Sequence, residues 1–170
     1  GRVMYRDLYD HKGPLIYALH ALCALVCPAD FTGVWGLEIL FAAAFLMESY
    51  RAVKAMAGRR AALLSIPLTA LCVYTSYCFQ AGDSAEELAL PMILLVQLHW
   101  LEALENEKPV SFGRLLGDGF LFGCVFWMKF TLCGAQGMAL LLGCILAARR
   151  NGARGFFRSL GGLILGFLLS

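Results

Sequence analysis

From residue 14 onward, long apolar runs alternate with short charged segments. A helix needs about 20 apolar residues to cross a hydrocarbon core roughly 30 Å thick, so each run can be tested by its length. Pro14 to Pro28 fails the test, because at about 1.5 Å per residue it reaches roughly 22 Å. Within it, Leu15, Leu19, Leu22 and Val26 form one stripe at helical spacing, and Tyr17, His20, Ala24 and Cys27 form a smaller, more polar one. This pattern predicts a juxtamembrane helix lying at the interface over 14–28, started by Pro14 and ended by Pro28. The runs Val34 to Tyr50, Ala61 to Phe79, Leu88 to Leu104, and Leu115 to Met128 with Phe130 to Ala148 as a hairpin follow, and a last one begins near Leu160. Together they predict about six transmembrane spans over 34–170, the last incomplete. The expected fold is all-α, a polytopic transmembrane helical bundle.

Charge gives this bundle a direction. Arg51, Lys54, Arg59, Arg60, Lys108, Arg114, Arg149, Arg150, Arg154 and Arg158 fall in loops on one side, which the positive-inside rule makes cytoplasmic. The opening segment, the acidic stretch "AGDSAEE" (Ala81 to Glu87) and Lys129 fall on the other. Hydrophobic residues make up 60% of the chain and charged ones 15%, a balance that belongs to an integral membrane protein. A net charge of +2 with no basic stripe excludes a nucleic-acid partner. The seven cysteines are odd in number and scattered through apolar segments, which argues against a disulfide framework or a metal site. Residues 1–170 read as a single membrane-embedded domain without repeats or soluble linkers. The chain is expected to be an internal piece of a longer membrane protein and to be inactive alone.

The densest chemistry lies in "YRDLYDHKGPL" (Tyr5 to Leu15). Charges abutting an apolar helix must be solvated, paired or used. As a site, Lys12 and Arg6 would neutralise a phosphate, Asp7 or Asp10 would accept a proton, and His11 would hydrogen-bond. As plain structure, the same residues would be solvated anchors at a helix entry. Glu86 and Glu87 admit two readings as well: acids favourably placed at a helix N-terminus capped by Ser84, or the lining of an acceptor cleft. Glu38 is either an interfacial acid near water or an acid with a partner, for which His20 and Lys129 are candidates, and Lys129 is either a snorkelling lysine or a phosphate ligand. His99 and Trp100 fit an aromatic belt, and Gly134, Gly137 and Gly143 fit close helix packing.

Tyr5, Arg6, Asp7, Asp10, His11, Lys12, Gly13 and Pro14 resemble the end of the first extracytoplasmic loop of GT-C superfamily glycosyltransferases of the protein O-mannosyltransferase-like and aminoarabinose transferase-like type. "SAEELALP" (Ser84 to Pro91) is similar to a second motif of bacterial members. The resemblance implies a GT-C-like enzyme of the bacterial cell membrane. It would move a sugar from a polyprenyl-phosphate donor to an extracytoplasmic hydroxyl acceptor of the cell envelope, with active-site loops on that face. It implies donor phosphate binding by Lys12, Arg6 and His11, catalytic roles for Asp7 and Asp10, and a cleft lined by Tyr5, Glu86, Glu87 and Lys129. The main catalytic acid of the family is expected upstream of Gly1. The sequence departs from the family in placing Gly-Pro after the lysine and His11 where an acid precedes it. It implies no cofactor and leaves a divalent metal open. The competing classes are a transporter or lipid flippase with an ion path through Glu38, His99 and Lys129, and a membrane assembly subunit without chemistry.

Overall fold

The computed structural model describes residues 12–75, 83–105 and 110–170. Every regular element among these residues is helical: α1 (Pro14–Val26), α2 (Thr32–Val73), α3 (Ala85–Glu105), α4 (Phe112–Met128), a 3-10 turn (Phe130–Leu132) and α5 (Cys133–Leu168). Three stretches, Thr32–Val73, Ala85–Glu105 and Phe130–Leu168, are long and apolar enough to cross a membrane. Their apolar side chains are largely on the outside: Trp35, Ile39, Leu40, Met47, Leu64, Leu68 and Leu142 are all exposed. Glu48, Glu87, Asp118 and Gln136 are buried instead. Exposed apolar surface on this scale with polar groups inside is the distribution expected of a protein solvated by lipid.

Local chemistry explains the boundaries. Pro14 opens α1 at its first turn, where its missing N–H costs nothing. Before α2, the Asp30 carboxylate accepts the Thr32 backbone N–H at 2.9 Å. The hydrogen bonds from Thr32 hold the Asp30 carboxyl below its ordinary pKa. Ser84 and Ser111 precede α3 and α4 and accept the N–H groups of Glu87 and Arg114 at 3.0 and 3.3 Å.

Two of the long helices are broken where the sequence predicts basic loops. In α2 the break is a single residue, Gly58, at φ 82° and ψ 174°. In α5 it is Asn151–Gly152, with Gly152 at φ 60°. Both glycines occupy backbone conformations that a side chain disfavours. A Cβ on Gly155 would meet the Ala147 carbonyl, so the arms of α5 fold back on each other at this point. Helix therefore continues through Arg51 and Lys54, where a loop is expected, because one glycine is enough to redirect the chain.

The second arm of α5 runs along α4 with almost nothing between them. A Cβ on Gly119 would strike the Leu163 carbonyl, and one on Gly166 would strike the Leu116 carbonyl. A Cβ on Gly162 would lie 2.9 Å from the Leu115 Cβ, a less severe approach. Gly162 and Gly166 are four apart and share one face, the small-residue spacing that lets helices approach closely in lipid. Of the glycines expected to serve packing, Gly143 does so, since a Cβ there would enter the Trp100 ring, whereas Gly134 faces open space and Gly137 makes only ordinary contact. In lipid the gain is van der Waals contact and not removal of surface from water. Gly166→Leu should therefore overpack this interface and cost about 1–3 kcal/mol, lowering the thermal unfolding midpoint in detergent. Gly161→Ala, which meets nothing, should leave the midpoint the same or slightly raised, since alanine is the better helix former.

Candidate functional site

The site begins with how α1 is held. The Gly13 backbone N–H donates to the Met128 carbonyl at 2.6 Å, tying the start of α1 to the end of α4. A Cβ on Gly13 would collide with the Trp127 carbonyl, so only glycine permits this approach. One turn on, Ile16 is fully buried with Ala85, Leu88, Ala89, Val125 and Met128. These contacts lay α1 across the beginning of α3 and the end of α4, and its polar residues fall beside the acidic loop.

Asp83 is the centre of that meeting. It precedes the Ser84 cap and has a left-handed backbone, φ 54°, a conformation that aspartate tolerates better than most residues. Its carbonyl accepts from Lys12 Nζ at 3.2 Å. Its carboxylate Oδ1 lies 2.7 Å from His20 Nε2. Its backbone N–H donates to the Glu38 carboxylate. One residue thus joins the entry of α1, the middle of α1 and the first turns of α2. Glu38 is satisfied by the Asp83 backbone, and His20 reaches it only through Asp83.

The cations sit beside it. Lys129, the residue after α4, pairs with Glu86 in the first turn of α3. Lys12 also lies within electrostatic reach of Glu86. Glu87 is buried and faces Glu38 and Asp83 electrostatically. Pro91 lacks the N–H that would bond the Glu87 carbonyl in a regular helix, which loosens the helix ladder at this level. Tyr74, just past α2, is pushed up to about 12 by burial and then by Glu87, so the second arm of α2 returns to the same end. The cluster is mixed in sign, with its amines at the rim and one carboxylate sunk behind them. Its two amines are the groups that could meet an anion, and its carboxylates are available as proton acceptors. No group of His, Cys, Asp and Glu among the described residues is arranged to bind a metal ion.

Of the residues expected in the site, Lys12, Glu86, Glu87 and Lys129 are brought together at one end of the helices. Tyr5, Arg6, Asp7, Asp10 and His11 lie outside the described residues. Asp83 is the member that motif reading passes over, although Gly82-Asp83-Ser84 is a turn signal that could have flagged it. His99 is not a belt residue: its Nδ1 lies 2.6 Å from Oδ1 of the fully buried Asp118, near the opposite end of the helices. A cavity of about 370 Å³ lies between α4 and the two arms of α5, where Phe122, Leu140, Leu163 and Phe167 make it almost wholly apolar.

The chain matches no protein-family model, no curated protein and no solved structure. Its class is therefore set by its own architecture: the described residues are all-helical, with three helices long and apolar enough to cross a membrane and a mixed-charge cluster at one end.

The left-handed turn at Asp83 gives a direct check. Asp83→Leu and Asp83→Gly both lose the carboxylate, but only leucine pays for positive φ. Asp83→Leu should be about 1–2 kcal/mol less stable than Asp83→Gly in thermal unfolding monitored by circular dichroism, and equal midpoints would contradict the backbone assignment.

Proposed function

We propose that the chain belongs to an integral-membrane glycosyltransferase of GT-C type, which transfers a sugar from a polyprenyl-phosphate donor to an extracytoplasmic acceptor in the bacterial cell envelope. The observation that carries this reading is the meeting of the two motifs on which the resemblance rests. Lys12 belongs to the first motif and Asp83 directly precedes the second; the two residues are 71 apart in sequence, yet Lys12 Nζ donates to the Asp83 carbonyl. Lys129, remote from both motifs in sequence, joins them through Glu86.

The donor has an anionic headgroup and a long apolar tail. In this reading Lys12 and Lys129, which both act on Glu86, share the phosphate and exchange part of their pairing with Glu86 for the ligand. The apolar cavity beside α4 is of the kind an isoprenoid tail requires. In the reaction the acceptor oxygen attacks the anomeric carbon, and its proton passes to a carboxylate, Asp7 or Asp10 on the opening loop. The bond from the anomeric carbon to the phosphate oxygen breaks, and the lysines stabilise the phosphate that leaves. Each arm of α2 and α5 then counts as a separate crossing, which brings the ends of both motifs to the outer face and the arginines to the inner one.

The test is transfer by the full chain in proteoliposomes supplied with a polyprenyl-phosphate-linked sugar. Lys12→Ala should lower turnover by about 10²-fold or more, with Lys12→Arg keeping a measurable fraction and expression unchanged. Undiminished transfer by Lys12→Ala would remove the role assigned to this lysine.

A further inference from the structure

The opposite end of the helices holds a second charged cluster, built in two tiers on three helices. In the outer tier, Glu102 of α3 joins Arg51 of α2 at 2.9 Å and Arg114 of α4 at 3.3 Å. One turn deeper on the same three helices lie Glu48, His99 and Asp118. Asp118 is fully buried and Glu48 nearly so. His99 Nδ1 lies 2.6 Å from Asp118 Oδ1, and Glu48 lies within electrostatic reach of both His99 and Arg51. Asp118 feels Arg114 as well as His99. Among the charged side chains of α5, Arg150 comes to this level and donates to the Ala103 carbonyl at 3.2 Å, but the cations that act on the inner carboxyl groups are Arg51 and Arg114.

The charges of these six groups do not cancel without a proton. Arg51, Glu102 and Arg114 leave the outer tier singly positive. With both carboxyl groups ionised and the imidazole neutral, the inner tier is doubly negative. A net charge held in low dielectric is costly, and one bound proton brings the whole cluster to neutrality. The inner carboxylates are also short of partners, since Glu48 Oε2 and Asp118 Oδ2 are buried without a hydrogen bond. His99 is the least enclosed of the three, with a side chain 20% exposed. A cleft of about 320 Å³ lined by Arg51, Lys54, Leu98, Glu102 and Glu105 runs beside the outer tier and gives water a route to it.

We propose that Glu48, His99 and Asp118 form a binding site for one exchangeable proton, carried by the His99 ring between the two carboxylates and reached from the arginine-rich end. The site is independent of the sugar-transfer reading, because it shares no residue with the cluster at the other end. Loss of the proton leaves a net negative charge among α2, α3 and α4, so proton occupancy is coupled to how these helices pack.

The test is infrared spectroscopy of the full chain in lipid nanodiscs at neutral pH, comparing the parent with His99→Gln and His99→Gln/Asp118→Asn. Without the imidazole the proton must move to a carboxyl group, so His99→Gln should show a protonated-carboxyl absorption. The double variant is neutral without the proton and should lack that absorption. A His99→Gln spectrum containing only ionised carboxylates overturns the proposal. If His99→Gln does not fold, Asp118→Asn labelled with 15N-histidine gives the same answer. The His99 ring should carry one proton fewer than in the parent, and an unchanged ring overturns the site.

Discussion

Asp83 fixes the charged end of the molecule because it spends three different groups on three different partners. Its carbonyl takes the Lys12 ammonium, its carboxylate faces the His20 ring, and its N–H satisfies Glu38. The left-handed turn makes this possible by pointing the backbone N–H toward α2 while the chain enters α3 behind the Ser84 cap. Glu38, His20 and Lys12 would each be expensive beside apolar helices if left alone. Gathered on one residue, Lys12 and Glu38 are hydrogen-bonded and the His20 ring lies 2.7 Å from the Asp83 carboxylate, and Lys129 with Glu86 extends the same arrangement across the end of α4.

The two ends of the helices solve opposite problems. At the Asp83 end the cluster is open at its rim, with amines half-exposed and Glu87 behind them, an arrangement in which a ligand can replace part of an existing pairing. At the other end Arg51, Glu102 and Arg114 close over Glu48, His99 and Asp118. Between the ends, contact depends on small residues, as where Gly119 and Gly166 let α4 and the last arm of α5 touch backbone to backbone. Such close approach matters more in lipid, where burying apolar side chains against each other contributes little beyond packing. The polar clusters then fix the register that the apolar surfaces alone would leave free to slide.

Hydrophobic run length and loop charge were enough to anticipate an all-helical chain, but not that helix would continue through Arg51 and Lys54 and leave three long apolar helices among the described residues. The short α1 behind Pro14, the return of the chain near Asn151 and the convergence of Lys12, Glu86, Glu87 and Lys129 at one end all follow from those two signals. Gly58 was harder to read, because a lone glycine in a helical pattern is usually tolerated, and only its positive φ marks the break. The Glu48, His99 and Asp118 cluster was not legible at all. Each residue taken alone looks like an interfacial acid or an aromatic-belt neighbour, and their pairing depends on helix rotations that periodicity does not fix. Asp83 was hidden for a related reason: its role lies in backbone groups, which every residue has, and in a φ value that composition only hints at.

The claim that the opening motif and the second acidic loop form one site is tested most directly by distance. In a cysteine-free background reconstituted in bilayers, His20→Cys and Asp83→Cys would be combined and treated with a short bifunctional thiol reagent. The account predicts an intramolecular link between α1 and the turn before α3, detected after proteolytic cleavage between them, with neither single variant giving it. Two cysteines that each react with a monofunctional thiol reagent but never become linked would contradict the account at its centre.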